Sequence, residues 1–500
     1  MQQINTEILY GLSLSGTSAD KVLDRFDAAS ALCRGNYTAQ PVIQPVPLCN
    51  NHLRPDTVCP AYESPGVMPP LPRKKSSPGV FRSGMSIVES SALIRTEASS
   101  WQDILRIWGE NAEKSGFFSL RFDENILRRV NTENISSMCF GVPFGVTESI
   151  YVRSCQIPWG PLPPRDADAV SSLLCEGAIP IGYIKSYPFN MGPDMAAQAV
   201  AGGTVPFSLG VDMGGSGLVN AARTGVTAMR TTYGLCSRFG VLCRAPSLEL
   251  ICVNAGSVRD LAMVSRILFQ GCRNDCTSYS QMMPGWYETL SHIEIKNYTV
   301  GFAENMLDQR KNPYATAAVL KAAEAFELLG GTVRSVRLPL NGTENELMRI
   351  IAAGECRIED MTGCRRGNPD LSALPEAARE EILFKRLLLK EGTVLNGARI
   401  RRGQLIQGFE RALSDVNAVI CPAVWDDGSA SDMPAALSLI GMCGLTLPCG
   451  KTPEGQNLGL LIAARQFSED TLLILGKIYE QANHMSREVV RRGRHCRIPH

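Results

Sequence analysis

A chain of 500 residues with 44% hydrophobic side chains holds enough apolar material for one large α/β domain or for two to three ordinary ones. Its formal net charge of +1 draws it as a whole toward neither nucleic acid nor anionic lipid, so an RNA partner has to be met locally or through another subunit. No apolar run in the sequence approaches the ~20 residues needed to span a bilayer, and no membrane partner is expected.

The start, MQQINTEILYGLSLSG, has neither a basic leader nor an unbroken apolar core, so the 17 cysteines are expected as free thiols in a reducing, cytoplasmic setting. Cys272 and Cys276 are the nearest approach to a metal spacing, with no second pair beside them, and the five histidines form no HExxH-type pair. No metal and no cofactor are expected.

In chain order, LSLSGTSADKVLDRFDAASAL predicts a short amphipathic helix. Prolines from Pro41 to Pro78 then break the pattern, giving an extended segment or a tail rather than a core. Regular periodicity begins at Met85. DADAVSSLLCEG reads as a helix stopped by Gly177, and AIPIGYI as a buried strand. In SVRDLAMVSRILFQG, Ser257 is placed as the N-cap, Val258, Leu261, Val264 and Leu268 share one face, and Gly271 lies beyond the end. ATAAVLKAAEAFELLGGTVRSVRLP gives helix, glycine pair and strand. This alternation predicts an α/β fold built on a mixed, mostly parallel sheet surrounded by helices.

The stretch VPFSLGVDMGGSGLVNAARTG runs from an apolar segment through two glycines to Ser216 and into a helical pattern. Glycines at such a junction let consecutive N–H groups converge on one point, and a helix N-terminus there stabilises developing negative charge. A plain glycine turn containing a serine is the competing reading of these residues. No lysine followed by Ser or Thr closes the stretch, and no GxGxxG follows it, so it is not read as a phosphate loop.

The longer context resembles the amidase signature family: GVDMGGSG, TTYGLCSRFGV, PSLELICVNAGSVRDLAMVSRILFQGCRNDCTS, VGFAENML and IGMCGLTLPCGKTPEGQNLGLLIAARQFSEDTLLILGKIYEQAN follow it in order and spacing, from about Met85 to Asn483. Within the family the resemblance is greatest to the A subunits of glutamyl-/aspartyl-tRNA amidotransferases. PVPLCNNHLRPDTVCPAYESPGV with SSPGVFRSG resembles the proline-rich belt of the small C subunit of those enzymes. The organisation this implies is a C-subunit-like extension over residues 1–84, an amidase signature domain over 85–485 and a basic tail over 486–500, which contains Arg487, Arg491, Arg492, Arg494 and Arg497.

The resemblance implies a Ser, cis-Ser, Lys triad that hydrolyses glutamine. Ser216 takes the nucleophile's place, and the backbone N–H groups of Met213, Gly214 and Gly215 take that of the oxyanion hole. The catalytic lysine's place, in GVPFGVTESI, is held by Thr147, whose hydroxyl is no general base near neutral pH. The bridging serine belongs in a Ser/Gly-rich loop before AAQAVAGG, and FNMGPDMAAQAVAGG lacks it. Lys185 and Glu148 are read as sheet-end or surface residues rather than as a replacement base. Arg365 and Asp432 align with groups that hold the glutamine carboxylate and amino group.

Three functions follow as expectations. The first is an amidotransferase A-like component with a degraded triad, whose partners are a B-type subunit of that enzyme and, through it, misacylated tRNA. The second is an active hydrolase of glutamine or another small amide with a rewired base. The third is a non-enzymatic interaction protein.

Overall fold

The structure, a computed structural model, describes residues 16–33, 84–95, 101–157, 162–192, 194–269, 272, 274–279, 290, 295–358 and 371–495. Val22, Phe26, Ala29 and Cys33 recur three or four residues apart and form the buried face of helix α1 (Gly16–Cys33), the amphipathic helix predicted there. The proline-broken stretch from Pro41 to Pro78 lies outside the described residues.

After α1 the chain forms α2 (Ile87–Arg95), α3 (Trp101–Ser115), β1 (Phe118–Arg121), β2 (Pro143–Thr147), α4 (Asp168–Cys175), β3 (Ile179–Ile184), α5 (Ala196–Ala201), β4 (Phe207–Asp212), α6 (Ser216–Thr224), β5 (Thr227–Arg230), β6 (Leu250–Ala255) and α7 (Val258–Leu268). It continues through β7 (Thr299–Ala303), α8 (Pro313–Leu328), β8 (Thr332–Val336), α9 (Glu344–Gly354), α10 (Glu376–Glu391), α11 (Thr393–Ala412), β9 (Ala418–Pro422), α12 (Asp432–Ile440), β10 (Cys443–Lys451), β11 (Asn457–Ala464) and α13 (Glu469–His495).

The local signals place these elements well. Gly177, at φ +78°, follows the end of α4, and Gly330, at φ +96°, separates α8 from β8. The Ser257 hydroxyl accepts the Asp260 N–H at 3.1 Å and starts α7, whose Val258, Leu261, Val264 and Leu268 are all buried. Gly271 lies outside the described residues.

The strands form one sheet in the order β1-β3-β2-β4-β6-β5-β10-β11-β9-β7-β8. It is mixed, but parallel pairing is confined to the flanks, at β3-β2-β4 and β9-β7-β8, and the centre from β4 to β9 is antiparallel, as is the β1-β3 edge. The expectation of a mostly parallel sheet is corrected on this point. β10 and β11 are joined by a short turn, and β5 and β6 by a connection without a helix, so neither has a crossover to restore direction.

Two faces matter for the site. Phe144 of β2 and Phe207 of β4 lie opposite each other and stack, with ring centroids 5.2 Å apart. Gly145 and Ser208, next in register, therefore point to the other face, where Ser208 Oγ donates to the Ala196 carbonyl at 2.8 Å. On that face α5 and α6 pack side by side; α6 begins just past the carboxyl end of β4, and Ala196, the first residue of α5, lies beside Ser208.

α1 lies against α10 and α11. Arg25 pairs with Glu381 at 3.1 Å, and its guanidinium stacks 4.2 Å over the Phe384 ring. The backbone of α13 continues as helix to His495. No helix among the described residues is long and apolar enough to cross a membrane.

Candidate active site

β4 ends at Asp212, the chain turns through Met213, Gly214 and Gly215, and the half-buried Ser216 opens α6. The two glycines are required twice over. Both have positive φ, +67° and +78°, where a Cβ is strained. In addition, a Cβ on Gly214 would lie 2.6 Å from Met348 Cε, and one on Gly215 2.6 Å from the Pro434 backbone.

Of the three N–H groups expected to form an oxyanion hole, two are engaged within the fold. Met213 N–H donates to Ser216 Oγ at 3.4 Å, and Gly214 N–H donates to Ser438 Oγ at 3.0 Å. The Ser438 hydroxyl in turn donates to the Leu248 carbonyl at 3.0 Å. Gly215 N–H meets no acceptor among the described residues.

Asp212 fixes this geometry. Its Oδ1 accepts the Gly217 N–H at 2.7 Å, and its other oxygen forms an ion pair with Arg230, both side chains being fully buried. Arg230 also donates to the Leu248 carbonyl at 3.1 Å, so one guanidinium ties the end of β4 to the strand beside it. Arg244 acts on the next residue: it pairs with Glu381 at 2.8 Å and donates to the Met213 sulfur at 2.9 Å. Glu249 accepts the Arg244 N–H at 2.7 Å, and burial pushes its carboxyl up to about 7 against the pull of the Arg244 charge.

Thr147 ends β2. It is buried, and its hydroxyl has no hydrogen-bond partner among the described residues. Continuing the β2-β4 register one step past Val146 and Leu209 brings Thr147 level with Gly210, on the face that carries α5 and α6. Glu148 is held by Ser186, through its N–H at 3.3 Å and its hydroxyl at 3.2 Å. Lys185 is exposed at the end of β3.

In the segment that lacks the serine-rich loop, Phe189 and Asn190 adopt positive φ, 58° and 55°, and Asn190 accepts the Ser149 hydroxyl and donates to the Leu242 carbonyl at 3.1 Å. Asp194 follows. Its Oδ1 accepts the Ala196 N–H at 2.9 Å, and its Oδ2 lies 2.8 Å from where a Cβ on Gly210 would stand. Burial, aided by the Asp212 charge and opposed by the Ala196 N–H, pushes Asp194 up to about 6. Reasoning from the sequence passed over this residue. The signal for it was an aspartate two positions before a small-residue helix, the pattern of a side chain accepting a first-turn N–H.

Asp432 is the first residue of α12 and accepts from Asn345 Nδ2 at 3.1 Å. The same helix carries Pro434 and Ser438, both of which meet the glycine turn, so the fold brings Asp432 to the side of the turn that faces α12. Arg365 lies outside the described residues. Among the described residues no group of three or more His, Cys, Asp or Glu side chains is placed to hold a metal ion.

The family model for amidases matches residues 196–473, from α5 through the start of α13 and including the whole glycine turn. The chain belongs to the amidase family. Similar proteins include the A subunits of two glutamyl-tRNA(Gln) amidotransferases. The one from Acidobacterium capsulatum is 27% identical over 77% of this chain and 96% of its own length, and the one from Methanosarcina acetivorans is 27% identical over 71% and 87%. Two solved amidase-fold structures superpose on most of the chain. The peptide amidase bound to the competitive inhibitor chymostatin has a TM-score of 0.68 at 19% identity, over 80% of this chain and 98% of that one. The 6-aminohexanoate cyclic dimer hydrolase complexed with its substrate has a TM-score of 0.67 at 16% identity, over 80% and 97%. At these identities the two structures speak to the shared amidase fold alone.

Proposed function

We propose that this amidase-family chain serves as an A-subunit-like component of a cytoplasmic tRNA-dependent amidotransferase, and that the lysine-based glutaminase triad of the family is not formed in it. The relatives named as A subunits cover most of its length and support the first part. The second part is carried by one observation. At the end of β2, level with Gly210, the side chain is the buried Thr147, while Lys185 is exposed at the end of the neighbouring strand. An alcohol cannot take a proton from another alcohol near neutral pH, so glutamine would not be attacked at a useful rate.

In this reading residues 85–485 form the body that a B-type, tRNA-binding subunit docks against, and ammonia reaches that partner from elsewhere. Residues 1–84 act as the C-subunit-like extension, with α1 held on α10 and α11. Arg365 and Asp432 would retain the family's place beside the vacated glutamine site.

Affinity purification of the full chain from its native cells, with a glutaminase assay on the recovered complex, tests this. The expected result is a B-type subunit in the complex and no glutamine hydrolysis by this chain. Robust glutamine hydrolysis abolished by Ser216→Ala overturns the loss of the triad, and a stable monomer that recruits no amidotransferase component overturns the assignment to the assembly.

A further inference from the structure

We propose that Glu381 is a positioning residue through which the docking of the N-terminal helix α1 controls the turn that presents Ser216: with α1 in place the Arg244 guanidinium reaches Met213, and without it Arg244 is drawn away. This goes beyond the A-subunit reading and does not rest on it, since every contact lies within one chain.

The connection is continuous. α1 lies along α10, with its Ser18 hydroxyl bonded to Glu376, its Phe26 ring edge-on to Phe384 at 6.5 Å between centroids, and Arg25 stacked over the same ring. One turn before Phe384, the buried Glu381 divides its carboxylate between two arginines. Oε2 accepts from Arg25 Nη1 at 3.1 Å, and Oε1 accepts from Arg244 Nη1 at 2.8 Å. Arg244, buried as deeply, turns its other terminal nitrogen, Nη2, to the Met213 sulfur at 2.9 Å. Met213 opens the turn, and its N–H meets Ser216 Oγ. Three side chains, Arg25, Glu381 and Arg244, therefore lead from the N-terminal helix to the residue that anchors the turn.

The last link is the weak one. A thioether is a poor acceptor, whereas a carboxylate takes paired hydrogen bonds from a guanidinium fork. Arg244 gives Nη2 to sulfur because Arg25 already holds the second oxygen of Glu381. Without Arg25, Oε2 is left unsatisfied in a buried setting, a costly state that Arg244 relieves by turning its fork to take both oxygens. The backbone of Arg244 stays put, because its N–H is held by Glu249 at 2.7 Å and its carbonyl accepts the Arg357 N–H at 3.0 Å. Its Nε has no partner among the described residues and gives up none in turning. Met213 then keeps the backbone bonds of the turn but loses its side-chain anchor, which loosens the end whose N–H meets Ser216 Oγ.

The Met213 sulfur reports this directly. Hydrogen peroxide converts an accessible thioether to the sulfoxide, with water as the other product, and peptide mass spectrometry of the full chain gives the rate at each methionine. Arg25→Met keeps an apolar stem over Phe384 and removes the charge. It is expected to speed Met213 oxidation ~3–10-fold, the protection that a hydrogen bond of ordinary net strength confers. The buried Met263 of α7 should oxidise at the parental rate, and Arg25→Lys, which restores a cation beside Oε2, should protect Met213 as the parent does. The double variant Arg25→Met/Glu381→Gln separates a relay from mere loosening of α1. An amide offers one acceptor oxygen to Nη1 and nothing that draws Nη2 away, so Met213 is expected back at the parental rate. The proposal is overturned if Arg25→Met leaves Met213 unchanged, if Met213 and Met263 rise together, or if the double variant oxidises as fast as the single one. None of these outcomes bears on the partner captured in cells or on glutamine hydrolysis, so the two readings fail separately.

Discussion

A Cβ placed on Gly215 would lie 2.2 Å from the Cβ of Pro434, so the turn before Ser216 and the first turn of α12 meet with no room for another side chain. Gly215 also sits at φ +78°. Gly215→Ala therefore combines a left-handed backbone penalty with overpacking against a rigid proline, a cost of about 2–4 kcal/mol. Urea unfolding monitored by circular dichroism is expected to show the midpoint falling accordingly, with any Ser216-dependent activity lost as well, since the clash moves the turn that presents it.

The Asp212–Arg230 pair is fully buried and holds both the end of β4 and the start of α6. Asp212→Ala leaves a guanidinium uncompensated in the core and is expected to destabilise the chain by about 3–5 kcal/mol. The double variant Asp212→Ala/Arg230→Met removes the orphan charge and should recover part of that loss. A double variant less stable than the single would show that the pair's role is positional rather than electrostatic.

Glu249 and Asp194 are pushed up by burial to about 7 and about 6. The folded chain therefore binds more protons than the unfolded chain from the ordinary carboxylate range, near ~4, up to those values, and stability falls as pH rises through that window. Glu249→Gln removes the larger contribution and keeps an acceptor for the Arg244 N–H. Comparing unfolding midpoints at about pH 4.5 and about pH 7.5 should show a flatter dependence in the variant than in the parent. An unchanged slope would count against the raised carboxyl.

Much of the architecture was legible because it is local. Ser257 as a cap, the apolar face of α7, the glycines that stop α4 and α8, and the amphipathic pattern of α1 each depend on residues within a turn or two of one another. Strand direction was not legible. β4, β5, β6 and β9 are buried on both faces, and a run of apolar residues reads the same whichever way its neighbour runs. The central antiparallel block became visible only through the pairing.

The sequence by itself determined that Ser216 stands behind two glycines ahead of a helical pattern and that the segment GVPFGVTESI carries Thr147 and no lysine, since both are matters of identity along the chain. Only the tertiary structure decided what surrounds them: Pro434 and Ser438 pressing on the glycine turn, Arg244 reaching Met213, and Asp194 filling the space left by Gly210. These partners come from segments far apart in the chain, and no periodicity or spacing encodes which of them the sheet and its helices bring to one end of β4.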